Sequence, residues 1–205
     1  MEKRIFISTG EMPPEILEHV EKVQKDFADF NIRWVKPDQL HVTLAFLGEI
    51  DEEKIQKVLE VARETATNCF PSTLALHSLG VFPEAGHPRV LWMGFNHQDR
   101  GKRLAAIAFS LQQKLILAGF AQKDRLVPSE KLSTTGEWVE FEAHLTLGRF
   151  KKTKGGEALQ KLLDKYQNTT FGEMQLEAIY VMESELTSEG PIYKVIERVG
   201  LGGME

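Results

Sequence analysis

Apolar residues recur along this chain at two spacings, one suited to helices and one to strands. Arg4 to Ser8 reads as a strand, and beyond Pro13-Pro14 the positions Ile16, Leu17, Val20, Val23 and Phe27 keep the three-and-four spacing of an amphipathic helix. A strand holding His41 follows. The next helix runs from about Glu52 to Thr65, with Ile55, Val58, Leu59 and Ala62 on one face. Phe70 to Leu79 and Arg89 to Phe95 predict two further strands, separated by a turn rich in Pro and Gly around Pro83 to Pro88.

The second half repeats this order. It predicts a helix over Gly101 to Leu117, a strand holding His144, a helix over Glu157 to Gln167, and strands over Met174 to Met182 and Tyr193 to Val199. Phe70 follows His41 by 29 residues, and Phe171 follows His144 by 27. This agreement reads as an internal duplication. The expected fold is therefore α+β: one bilobal domain over residues 1–205, with two pseudo-symmetric lobes around a central cleft. Each lobe would be an antiparallel-rich sheet with outer helices. Gln122 to Trp138 fits no periodic element and reads as a loop ahead of the second histidine.

The repeat carries a short motif. His41-Val42-Thr43-Leu44 and His144-Leu145-Thr146-Leu147 stand at matching points of the two halves. A strand sets alternate side chains on one face about 7 Å apart, so each copy directs an imidazole and a hydroxyl the same way. A single His-x-Thr strand is ordinarily structural. Burying an unpaired imidazole or hydroxyl costs roughly 1–3 kcal/mol, however, and two such costs at equivalent places call for a function. The remaining histidines, His19, His77, His87 and His97, have no comparable setting.

Composition narrows the chemistry. With 42% hydrophobic and 27% charged residues the chain is an ordinary globular mixture, and its longest apolar runs fall short of a spanning helix. MEKRIFISTG lacks the apolar core of a secretory signal, so a cytoplasmic location and no membrane partner are expected. Cys69 is the single cysteine, which excludes an intrachain disulfide and a cysteine-rich zinc cage, and it reads as a small buried apolar residue. A net charge of −5 argues against sequence-blind binding along a nucleic-acid backbone, but not against recognition of one terminal phosphate. Positive charge is local. Arg33 and Lys36 precede the first motif, and Arg149, Lys151, Lys152 and Lys154 follow the second.

Other chemistries fit less well. Zinc sites gather three or four ligands, and neither motif brings an acidic residue or cysteine at a ligand spacing. Threonine is a poor ligand for such a cation but a good neutral donor to a phosphate oxygen. Neither a Gly-x-Ser-x-Gly elbow nor a Walker-type glycine loop is present. Two imidazoles and two hydroxyls point to metal-free acid–base attack at phosphorus, with no cofactor.

At these residues the chain resembles the two-histidine phosphoesterase superfamily, and more closely its RNA 2′,3′-cyclic phosphodiesterase branch, also called LigT-like or 2′-5′ RNA ligase-like. The resemblance spans nearly the whole chain: RIFISTG from Arg4, RWVKPDQLHVTLAFLGE from Arg33 to Glu49, HLTLGR from His144 to Arg149, and MESELTSEGPIYKVIERVGL from Met182. Ala143 stands where the family often has proline, and Gln122 to Trp138 differs from the usual connection.

The resemblance implies that His41 and His144 form the catalytic pair, that Thr43 and Thr146 bond the phosphoryl oxygens, and that Arg149 offsets phosphate charge. It implies metal-independent hydrolysis of RNA ends bearing a 2′,3′-cyclic phosphate to 2′-phosphomonoesters, with reverse 2′-5′ ligation as a side activity. The alternative substrate is a small nucleotide, such as a cyclic phosphate of ADP-ribose or a 2′-5′ oligoadenylate. A non-catalytic RNA-end binding module is a third reading. Trp34, Phe46, Trp138 and Tyr193 are aromatic residues able to stack on a base, with core packing as their default role. A monomer is expected.

Overall fold

The computed structural model describes residues 1–95, 101–120, 143–152, 156–188 and 190–203. Its strands are β1 (Glu2–Ser8), β2 (Ile32–Trp34), β3 (Thr43–Asp51), β4 (Ser72–Phe82), β5 (Val90–Phe95), β6 (Leu145–Phe150), β7 (Thr170–Leu176), β8 (Ala178–Thr187) and β9 (Gly190–Gly200). Its helices are α1 (Pro14–Asp26), α2 (Ile55–Thr67), α3 (Gly101–Leu117) and α4 (Glu157–Tyr166). The predicted loop over Gln122 to Trp138 lies outside the described residues, as do Trp138, His97 and Lys154.

The strands form two sheets, both antiparallel. One has the order β3-β1-β8-β9 and the other β2-β6-β5-β4-β7. The architecture is α+β, with α2 and α3 packed on the first sheet and α1 and α4 on the second. Each sheet draws strands from both halves of the sequence, so the lobes and the sequence repeat are different divisions of the chain.

Helix α1 begins with Pro at its first position, where a missing N–H costs nothing. It buries Ile16, Val20 and Val23, with Phe27 fully enclosed just beyond its end. In α2 all four predicted core positions, Ile55, Val58, Leu59 and Ala62, are buried. Cys69 is half-buried against the core, where burial raises its thiol pKa.

Two sequence expectations need correction. The run Met174 to Met182 is two strands in different sheets, divided at Glu177. Met174, Leu176 and Ala178 are buried while Gln175 and Glu177 are exposed. The alternation runs through Glu177 to Ala178, and only the adjacent buried pair Ala178 and Ile179 marks the change of sheet. Neither histidine lies within a strand either: β3 begins two residues after His41 and β6 one residue after His144. Both precede a ladder, at the place where the two sheets meet.

Two glycines permit close approaches near that junction. A Cβ on Gly148 would lie 2.5 Å from Ile32 Cγ2 and 3.0 Å from the Arg33 carbonyl, so glycine lets β2 close against β6. A Cβ on Gly80 would fall 2.1 Å from the Trp92 ring, which lies flat across that position.

Candidate active site

An isolated antiparallel bridge pairs Val42 with Leu145. Each is the middle residue of its motif, and both are fully buried. In the register this bridge sets, His41 lies opposite Thr146 and Thr43 opposite His144. Alternation then puts all four on the face turned away from the buried pair. Diagonal neighbours across such a pair lie roughly 7–8 Å apart, so the two imidazoles flank a space fit for one phosphoryl group. The four residues line one cleft of about 610 Å³.

The backbone of the first motif is clamped by Thr9. The Thr9 N–H donates to the Val42 carbonyl at 2.9 Å, and the Val42 N–H donates to Thr9 Oγ1 at 3.0 Å. Both residues are excluded from water. Thr9→Val keeps the shape and strands the Val42 N–H, which should cost roughly 1–2 kcal/mol in urea unfolding. A variant as stable as the wild type would mean that this clamp carries no net weight.

His41 is held on three sides. Its Nδ1 bonds to the Gln39 carbonyl at 2.7 Å. A carbonyl only accepts, so Nδ1 carries the proton and Nε2 is left as the ring's other functional nitrogen. Phe6 packs on the ring at 5.1 Å between centroids, and Tyr193 meets it edge-on at 5.3 Å. Burial holds the His41 pKa below the usual imidazole value. The Gln39 bond opposes that shift, and the charge of His144 adds to it. His144 is wedged by Phe82, edge-on at 5.1 Å, and Phe82 stacks on Trp92 at 5.0 Å.

The charge of the cleft is opposite to that of the chain. Arg4, Arg33, Lys36 and Arg149 line it, and no Asp or Glu does among the described residues. Arg4 lies 4.8 Å from the centre of the Phe46 ring. The cleft also includes Trp34, Phe46 and Tyr193. Burial raises the Tyr193 pKa, while the charges of Arg149 and Arg4 lower it. Lys151 and Lys152 are exposed and do not line the cleft.

The other described histidines stand apart. His19 packs on Phe171, and exposed His87 faces Glu84 at 3.4 Å. His77 lies on β4 opposite Gly94 and Thr170. Among the described residues no three His, Cys, Asp or Glu side chains gather as a metal site.

The sequence reading passed over Arg4, Phe6, Thr9, Gln39, Phe82 and Trp92. Only the first two left a usable signal. Along β1, Ile5 and Ile7 enter the core while Arg4 and Phe6 line the cleft; a strand reading puts Arg4 and Phe6 on one face, although the apolar run Ile5-Phe6-Ile7 does not itself display the change of face.

Comparison with known proteins finds relatives over nearly the whole chain. Residues 9–92 and 117–193 match the family described as LigT like Phosphoesterase. An RNA 2′,3′-cyclic phosphodiesterase from Methanocaldococcus jannaschii is 31% identical over 194 residues, covering 95% of this chain and 98% of that protein. One of the same name from Archaeoglobus fulgidus is 33% identical over 192 residues, covering 93% and 96%. Among solved structures, a Thermus thermophilus protein superposes with a TM-score of 0.73 at 26% identity, covering 98% of this chain and all of that one. E. coli LigT complexed with 3′-AMP has a TM-score of 0.71 at 22% identity, covering 98% and 99%, and supports the fold.

Proposed function

This chain belongs to the LigT-like phosphoesterase family, and we propose that it hydrolyses 2′,3′-cyclic phosphate ends of RNA to 2′-phosphomonoesters with His41 and His144 as an acid–base pair. The observation that carries this reading is the bridge between Val42 and Leu145, which brings both His-x-Thr motifs to one cleft lined by cations and free of carboxylates among the described residues. The names of the relatives supply the substrate class.

In the reaction, one imidazole takes a proton from water as the water oxygen bonds to phosphorus. The bond from phosphorus to O3′ breaks on the far side, and the other imidazole protonates the departing oxygen. Thr43 and Thr146 donate to the non-bridging oxygens, where charge builds up, and Arg149 offsets that charge. With a 5′-hydroxyl in place of water, the same groups join O5′ to phosphorus as the bond to O3′ breaks and so form a 2′-5′ linkage, which labelled fragments would reveal.

The direct test is an oligonucleotide ending in a 2′,3′-cyclic phosphate, with the product identified by phosphorus NMR. A 2′-phosphomonoester is expected, formed at an undiminished rate in excess chelator because imidazoles and hydroxyls supply all the chemistry. A 3′-phosphate product would overturn the direction of cleavage. Activity lost to chelator and restored only by a divalent ion would overturn the metal-free mechanism.

The pH dependence follows from the cleft. The reaction requires one ring protonated and one neutral. Burial and the His144 charge hold His41 below its usual value, so protonating both rings takes a more acidic solution than for free imidazoles. The acid limb of kcat/KM is expected below the ordinary pKa of about 6.5. Inorganic phosphate in the cleft favours the charged rings and should move the His41 titration upward by NMR. A downward movement, or none, would place phosphate elsewhere.

A further inference from the structure

Gln39 ends the short turn Pro37–Gln39, immediately before the first motif. Two hydrogen bonds leave it for different parts of the cleft. Its carbonyl accepts from His41 Nδ1 at 2.7 Å, while its side-chain amide donates to the Pro191 carbonyl at 2.6 Å. Pro191 is the second residue of the return arm of the hairpin formed by β8 and β9, where it is paired with Leu186. That hairpin is a wall of the cleft. It presents Leu186 and Ile192, 65% and 49% exposed, beside Tyr193, the ring that meets His41 edge-on.

A turn of three residues has little stability of its own. Within it, the Gln39 N–H bonds to the Lys36 carbonyl at 2.9 Å and the Leu40 N–H to the Pro37 carbonyl at 3.3 Å. The position of the Gln39 carbonyl therefore depends on ties from outside the turn, and the amide bond to Pro191 is one. Exposed apolar side chains beside a cationic phosphate site suit the sugar and base of the nucleotide that carries the phosphate.

We propose that Gln39 is a positioning residue: from one short turn it fixes both the tip of the β8–β9 hairpin and the orientation of the His41 imidazole, so that contact between substrate and hairpin is felt at the reacting ring. This rests on the acid–base role given to His41 above. The chemistry favours glutamine here. Asparagine is one methylene too short to span the gap to Pro191, and glutamate has no N–H to donate to its carbonyl. When the tie is lost, the turn relaxes and the Nδ1 proton loses its fixed acceptor. The proton can then move to Nε2, the nitrogen that serves the substrate.

The test compares the full-length wild type with Gln39→Met, which is neutral and close in shape but has no donor, and with Gln39→Asn. Nitrogen NMR of labelled histidine reads the His41 tautomer directly, whether or not the enzyme turns over. Failure of the catalytic reading is thus separable from failure of this one. Wild type is expected to hold the proton on Nδ1, and both variants to show a mixture of tautomers. Their kcat/KM should fall about 5- to 10-fold, the usual worth of one hydrogen bond. Their acid limb should move to lower pH, because the Gln39 bond opposes the effect of burial. A folded variant that keeps the wild-type tautomer and acid limb would overturn the proposal, even if its activity fell.

Discussion

Replacing His41 or His144 by alanine is expected to lower turnover of a cyclic-ended oligonucleotide at least about 100-fold while the protein stays folded. A positioned proton-transfer group contributes roughly 100- to 10,000-fold, and each histidine is expected to supply one such group. Both rings are only half-buried at the cleft, and the core beneath them is made by Val42, Leu145 and their neighbours. Removal therefore empties the cleft without opening the interior. The double variant should be little worse than either single one, since residues that act as a unit lose their effect together. Initial rates beside a urea unfolding curve decide the matter. A folded single variant with a near-wild-type rate would end the two-histidine mechanism.

Much of this site was visible in the sequence because the strand period of two is visible there. His41 and Thr43 are two residues apart, as are His144 and Thr146, and the apolar residue between each pair is buried. Helices α1 and α2 were equally plain, since each keeps its large apolar residues on one stripe, whereas α3 buries Leu104, Ile107, Leu111 and Leu115 but also exposes Phe109, Ile116 and Leu117. What alternation cannot show is which sheet a strand joins. The polarity pattern runs through Glu177 to Ala178 without a break, although the chain passes there from one sheet to the other. Strand β2 has three residues, too few to establish any period.

The partners of the motif were hidden for a different reason. Thr9 holds Val42 from 33 residues away, and Gln39 reaches Pro191 across 152. Such bonds join a side chain to backbone, and backbone carries no trace in the sequence. Charge behaved likewise. A chain of net charge −5 has a cleft lined by cations, because β1 delivers Arg4 to the cleft flanked by Arg33, Lys36 and Arg149. Of the basic residues flanking the motifs, position relative to the cleft rather than clustering separated these from Lys151 and Lys152.

The threonines provide the second large effect. Thr43→Val and Thr146→Val keep volume and strand preference but remove the hydroxyl donors, and each is expected to lower kcat about 100-fold with little change in KM. Removing one donor aimed at developing charge typically costs roughly 100- to 1,000-fold in kcat. The lower figure is expected here because Arg149 and the cleft's other cations remain. The two losses should be similar, since the register at Val42 and Leu145 places Thr146 opposite His41 and Thr43 opposite His144. Each hydroxyl thus faces one imidazole across the space where phosphorus would sit. Steady-state rates over a range of substrate concentrations separate the readings. A raised KM at unchanged kcat would make the threonines binding groups for the ground state. A full loss in one variant and none in the other would show that a single hydroxyl serves the phosphoryl oxygens.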